Sequence, residues 1–432
     1  NLEDGSNSSQ VLRLKVTGIM PGGQGFARKG GQIYEVYWAV PGDVVEVKVV
    51  GKGYRRTKAV VLRRVSETTV RVAPKCEHFE VCGGCQWQNI AYKDQLKIKH
   101  EMVSSCFKRS GLDRVDVAEV LGSKEIFNYR NKMDFSFGRS KSGELTLGLF
   151  QDTANFNPDA VAEKAAPPVF NVEKCWLQSD MSNKIVRQVR DQLMDTGLIP
   201  YDPATRSGTL RSLVVREASD TGDTLVSLGV ARKIHPEGVA EAVSRASDNV
   251  KGFVMSVNRK RSKNAVPKSE EVVTGWGTIV EKVLGLEIAW SASSFAQVNT
   301  DQAQRLYSLA LDEACLTGSE KVLDLYCGAG TLSLLLARNA ARVTGVELLE
   351  KAVEDAQENA LRNGITNCSF VCDDVLASVG DQVVDVDVLT INPPRAGMDR
   401  AVVDKICRMK VSRIVYISCN ALTLARDLVI FK

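Results

Sequence analysis

The chain of 432 residues has no run of 18 apolar residues, so no transmembrane helix is expected. No signal or transit peptide is visible. The chain opens on Asn1 rather than Met, and the polar stretch Asn1–Gln10 reads as a cut or processed end. No Cys-x3-Cys-x2-Cys triplet is present, which argues against the usual radical S-adenosylmethionine chemistry. The glycine turn at 328–330 lacks the pyrophosphate fingerprint G-x-G-x-x-G, because Thr331 and Ser333 fill that region, and a dinucleotide is disfavoured. Charge is also scarce in sum. The net value is only +4, although residues 1–75 hold 13 Lys or Arg against 6 Asp or Glu. A basic first module on a near-neutral remainder suits a grip on phosphates.

What is there suits a protein of two to four domains with an ample core: 44% of residues are apolar and 25% charged. Eleven cysteines, an odd number without a secretory signal, point to a reducing compartment and to metal or catalytic roles. That compartment is a bacterial cytoplasm, a plastid or a mitochondrion. The apolar run Val322–Tyr326 predicts a buried parallel strand, followed by the turn Cys327-Gly328-Ala329-Gly330 and a helix over Thr331–Ala337. Further strands are expected at Ala341–Val346, Cys368–Cys372, Val386–Ile391 and Arg413–Ile417. They end respectively in Glu347, in Asp373-Asp374, in Asn392-Pro393-Pro394-Arg395 and in Ser418-Cys419-Asn420. Polar groups at the carboxyl ends of such strands are where an open α/β sheet binds its ligand, and an acid about 20 residues past the glycine turn suits ribose hydroxyls. A nucleoside without phosphates fits, and S-adenosylmethionine is one.

The ordered set Phe295-Ala296-Gln297-Val298-Asn299, Leu323-Asp324-Leu325-Tyr326-Cys327-Gly328, Gly345-Val346-Glu347, Asn392-Pro393-Pro394-Arg395-Ala396-Gly397 and Ser418-Cys419-Asn420 resembles the RNA uracil-C5 methyltransferases. The resemblance covers nearly the whole chain. It implies a Rossmann-like α/β methyltransferase domain over 276–432, a cofactor set of Gln297, Tyr326, Gly328, Thr331, Glu347, Asp373, Asp374 and Asn392, and Cys419 as the nucleophile.

Toward the N-terminus, short alternating runs at Val11–Val16, Gln32–Val36, Asp43–Val50 and Lys58–Val65, separated by glycine turns, predict a small antiparallel barrel over 8–67. It is similar to the TRAM module, an OB-like RNA-binding barrel carried by many of these enzymes. Tyr54, Arg55 and Arg56 on a turn are candidates for stacking on RNA or clamping it, with a plain surface turn as the alternative. Residues 68–125 carry Cys76-x5-Cys82-x2-Cys85 and a helix over Lys93–Ser110, with Cys106 read as core. Residues 126–275 read as a central mixed α/β domain containing Cys175. Four cysteines suit either a tetrahedral zinc or an iron–sulfur cluster, with His78 as a substitute zinc ligand. The resemblance implies a [4Fe-4S] cluster on Cys76, Cys82, Cys85 and Cys175. In the central domain, Tyr129-Arg130-Asn131-Lys132 matches a segment at the RNA-facing cleft, and Asn258–Lys263 is a basic loop.

The implied chemistry explains the residue types. Uracil C5 is a poor nucleophile until a thiolate adds at C6; a base must later take the C5 proton so that the thiol is eliminated. Asn392, where many members have Asp, offers a donor and an acceptor to the uracil edge but cannot act as a base. In the family that base is a Glu well past the nucleophile, whereas Lys432 lies thirteen residues after Cys419. The expectation is a fragment that binds cofactor and forms the adduct without ordinary turnover, its fifth strand left as an exposed edge. The barrel and cluster favour ribosomal RNA over tRNA as partner, with the protein acting as a monomer. An amino-directed nucleic-acid methyltransferase and a catalytically inactive RNA-binding homologue are the alternatives.

Overall fold

A computed structural model of the chain describes residues 11–52, 56–152, 167–259, 269–379 and 385–432. Tyr54, Arg55 and positions 260–263 of the basic loop lie outside them; Arg56 lies within and is exposed. Strands β1 (Val11–Ile19), β2 (Gly25–Lys29), β3 (Gln32–Tyr37), β4 (Val44–Lys52) and β5 (Thr57–Ser66) close a barrel in the order β1-β2-β3-β5-β4. Strand alternation turns Leu14, Val16, Ala27, Val36, Val45, Val47 and Ala59 inward to form a core of their own. The pattern of apolar runs predicts four of these strands. It misses β2, whose inward residues Gly25 and Ala27 are too small to register as an apolar run.

Helix α1 (Tyr92–Arg109) follows the cysteine-rich segment. Near its end Cys106 and Phe107 are buried against the C-terminal helix, a packing role as expected for Cys106. The central sheet contains β6 (Lys132–Arg139), β7 (Leu145–Phe150), β8 (Val169–Asn171), β9 (Leu210–Glu217), β10 (Thr224–Val230), β11 (Val250–Val257) and β12 (Ser269–Gly275), in the order β12-β11-β10-β9-β6-β7-β8. Helices α2 (Asp180–Met194) and α3 (Glu237–Ser244) cover one face through Ile185, Val189, Leu193, Ala240 and Val243. A separate hairpin, β13 (Thr278–Val283) with β14 (Leu286–Ser291), leads to α4 (Thr300–Ala314).

The last sheet is all parallel, in the order β17-β16-β15-β18-β19. Its members in chain order are β15 (Lys321–Leu325), α5 (Thr331–Ala337), β16 (Arg342–Glu347), α6 (Glu350–Arg362), β17 (Cys368–Cys372), α7 (Val375–Ser378), β18 (Val388–Ile391), α8 (Arg400–Arg408), β19 (Arg413–Tyr416) and α9 (Ala421–Phe431). One face packs on Leu332, Leu335, Ala303 and Tyr307, the other on Val402, Val403 and Ile406. Strand order reverses between β15 and β18, and a crevice opens at the carboxyl ends of strands at such a reversal. β19 stands last in the strand order, with Ile414 exposed.

Candidate active site

The turn after β15 is shaped by its backbone. Tyr326 has φ 63°, Gly328 φ 57° and Gly330 φ 80°, a left-handed run that L side chains resist. The space around Gly328 is open, with nothing within 4 Å of where a Cβ would stand, so a ligand can approach the backbone there. At Gly330 a Cβ would come within 2.8 Å of the Phe370 ring, so that glycine serves close packing. Glu347 sits at the end of β16. Its Oε2 accepts the Gly328 N–H at 3.1 Å and its Oε1 the Leu349 N–H at 3.0 Å, which fixes the carboxylate beside the turn. Asp373 and Asp374 follow β17. Asp374 Oδ1 accepts the Leu376 N–H and caps α7, while Asp373 accepts from Ser378 Oγ at 3.1 Å. Burial first, then the negative charge of Asp374, Asp399, Asp427 and Glu347, push the Tyr326 phenol up to about 12. Thr331 is the first residue of α5 and is buried.

Asp324 was not assigned a role from sequence. It is fully buried within β15, accepting from Ser333 Oγ at 2.5 Å and Thr390 Oγ1 at 2.6 Å. It thereby locks the strand to α5 and to β18. An acid inside an otherwise apolar run was the available signal. Cys327 lies against Gly345, its thiol pushed well up by burial first and by Asp324 next.

The loops after β18 and β19 meet. Asn392 is half-buried at the end of β18 and its N–H donates to Leu325 O at 3.2 Å, next to the glycine turn. Cys419 is exposed at the turn between β19 and α9. Asn420 caps α9 by accepting the Leu422 N–H at 3.1 Å, and its Nδ2 donates to Arg395 O at 3.1 Å. The cysteine turn is thus tied to the Asn-Pro-Pro-Arg loop by the residue beside the thiol. The Gln297 segment is held instead by the central sheet: Asn131 Nδ2 donates to Gln297 O at 3.0 Å and to Thr300 Oγ1 at 2.9 Å, and its N–H donates to Val298 O at 2.9 Å. Asn131 thus joins the central sheet to the segment ahead of α4. Asn299 caps that helix by accepting the Gln302 N–H at 3.1 Å.

Cys76, Cys82, Cys85 and Cys175 all line one cavity of about 510 Å³, together with Arg130 and Trp176. Burial raises all four thiols, Cys82 to about 11 and Cys85 to about 12, and the neighbouring cysteines add to the shift in Cys82, Cys85 and Cys175. Four sulfur donors on one cavity are, in donor type, the set that a zinc ion or an iron–sulfur cluster takes. Among the described residues, however, no three or more His, Cys, Asp or Glu side chains are placed to hold a metal ion. His78 does not join the set: its Nε2 accepts the Glu173 N–H at 3.1 Å, so the lone pair a metal would need is engaged. An adjoining cavity of about 630 Å³, lined by Lys75, Trp87, Tyr92, Phe127 and Tyr129, reaches from Cys85 to Asn299. Lys75 Nζ lies 3.9 Å from the centre of the Trp176 ring. No helix among the described residues is long and apolar enough to cross a membrane.

Residues 218–432 match the tRNA (uracil-5-)-methyltransferase family. An uncharacterized RNA methyltransferase of Halalkalibacterium halodurans is 35% identical, covering 98% of this chain and 91% of its own. One from Bacteroides thetaiotaomicron is 33% identical over 94% of this chain and 92% of its own. Among solved structures, the tRNA (uracil-54, C5)-methyltransferase of Pyrococcus abyssi, in complex with S-adenosyl-L-homocysteine, superposes with a TM-score of 0.74 at 24% identity, covering 96% of this chain and 92% of that one. At that identity the likeness concerns the fold.

Proposed function

Because this chain belongs to the RNA uracil-C5 methyltransferase family, we propose that it methylates C5 of a uridine in ribosomal RNA through a covalent bond from Cys419 to C6. The observation that supports this reading is the hydrogen bond from Asn420 Nδ2 to Arg395 O, which ties the turn carrying the exposed Cys419 to the loop that begins at Asn392. Cys419 Sγ adds to C6 of the extruded uracil and pushes electrons toward C5. Asn392 binds the polar edge of the ring. Glu347 and the backbone at Gly328 hold the nucleoside part of the methyl donor, with Gln297, Tyr326, Thr331, Asp373 and Asp374 completing its cradle. S-adenosylmethionine would supply an electrophilic methyl group, C5 bonding to it as the methyl–sulfur bond breaks and S-adenosyl-L-homocysteine leaves. Loss of the C5 proton to a base then expels the thiolate and restores the aromatic ring. Extrusion of the base costs a few kcal/mol, offset by phosphate contacts of the basic barrel and by the aromatic cavity beside α1.

Cys76, Cys82, Cys85 and Cys175 would hold a [4Fe-4S] cluster that staples the segment before α1 to the central sheet; the convergence of the four thiols on one cavity supports this.

The test is RNA carrying 5-fluorouridine. Fluorine cannot leave C5 as a proton does, so after methyl transfer the thiolate cannot be expelled and the methylated adduct persists. A denaturant-resistant protein–RNA complex is expected with S-adenosylmethionine present, and none after Cys419→Ala. Trapping that survives this substitution would end the assignment. The fold shared with the Pyrococcus abyssi enzyme favours a second reading, tRNA as substrate. Mass spectrometry of nucleosides from ribosomal RNA and tRNA of cells with and without the protein decides: 5-methyluridine lost from tRNA alone would overturn the ribosomal reading.

A further inference from the structure

Asp427, in α9, is fully buried and accepts hydrogen bonds on both oxygens. Its Oδ2 takes Tyr416 Oη at 2.7 Å and the Met398 N–H at 3.2 Å; its Oδ1 takes Arg426 Nε at 2.7 Å. Arg426 Nη2 also donates to Met398 O at 2.8 Å. Tyr416 is the last residue of β19, three positions before Cys419, and Met398 closes the loop that begins at Asn392. One carboxylate therefore fastens both the strand that delivers the thiol and the loop that delivers the uracil contact to the same helix. The fit is close: Gly397 has φ 75°, and a Cβ there would stand 3.0 Å from Asp427 Oδ2 and 2.7 Å from Arg426 Nη2.

We propose that Asp427 is a positioning residue for the covalent step, setting the separation of Cys419 from Asn392 through Tyr416 and Met398. This rests on Cys419 acting as the nucleophile. The loop after β18 is held twice, by Asn420 at Arg395 and by Asp427 with Arg426 at Met398, while the cysteine turn is held at Tyr416 and at Asn420. A misplacement of a fraction of an ångström between nucleophile and ring slows such a step strongly, whereas the Glu347 carboxylate at the glycine turn is bonded to Gly328 and Leu349 and not to Asp427, so cofactor binding is expected to change little. Asparagine at 427 would present one acceptor oxygen and turn an NH2 group toward either Arg426 or the Met398 N–H, so it cannot serve both sides. Tyr416→Phe removes a single bond and leaves the packing in place.

The experiment measures the single-turnover rate of trapping on 5-fluorouridine RNA, the affinity for S-adenosyl-L-homocysteine and the thermal midpoint, for wild type, Asp427→Asn and Tyr416→Phe. Trapping is expected to slow about tenfold in Asp427→Asn and about threefold in Tyr416→Phe, with cofactor affinity within twofold of wild type. Two results overturn the inference while leaving the nucleophile in place: wild-type trapping rates in both variants, or a fall in trapping matched by an equal fall in cofactor affinity. A wild-type protein that is never trapped overturns both readings. If Asp427→Asn does not fold, Tyr416→Phe alone decides between the first two.

Discussion

Asp324 is a carboxyl group placed where water cannot reach, with two hydroxyls as its partners. Burial raises its pKa from the ordinary 3.8 to about 6, the two hydrogen bonds pulling the other way. A folded-state value above the unfolded one means the native state binds the proton more tightly. The group's contribution to stability is therefore greatest below pH 3.8 and declines until about pH 6, above which it stays at its low plateau. Asp324→Asn is expected to gain stability relative to wild type as pH rises from about 4 to about 7. Urea midpoints of the two proteins across that range check it, and a constant difference would exclude the raised pKa. At this scale the sequence was informative where a residue stands at a strand end. Glu347, Asn392 and Cys419 could be placed because each follows an apolar run. The bonds of Asn131, Asn420 and Asp427 could not, since their partners Gln297, Arg395 and Met398 are distant in the chain or across a turn and no pattern of apolar residues encodes a hydrogen bond.

Among elements, α1, the turn after it and α9 meet in one small core of Cys106, Phe107, Leu112 and Ala425. That core fixes the helix that begins beside Cys419 to the segment carrying Cys76, Cys82 and Cys85. Phe107→Ala leaves a void at this contact and is expected to cost about 3 kcal/mol of stability. Because α9 also carries Asp427, adduct formation is expected to fall with it, while the core of the barrel, which shares no residue with this one, stays intact. Urea unfolding followed by tryptophan fluorescence, together with the trapping assay, measures both. The parallel strands were legible because each is a short apolar run ending in a polar signature, with β15 and β18 buried almost throughout. β11 was not: Gly252 interrupts Val250–Val257 and reads as a breaker, yet it sits where a Cβ would fall 1.8 Å from Trp276 O, a close passage of two backbones that only glycine allows.

The molecule as a whole is stitched at a few points. Cys175 lies on the central domain, its N–H donating to Asn183 Oδ1 at 2.7 Å, while its three companions come from the segment ahead of α1. A group shared among the four would join two parts that otherwise have separate cores. Cys175→Ala is expected to abolish bound iron and its visible absorbance and to lower the thermal midpoint by several degrees, since binding to a folded-state site is folding energy. Iron retained by that variant would place the cluster elsewhere. The barrel, by contrast, owns its core outright, built from Leu14, Val16, Ala27, Val36, Val45, Val47 and Ala59, and the family match begins only at residue 218. A module whose interior is self-contained in this way can be exchanged or lost without repacking any side chain of the sheets that follow it.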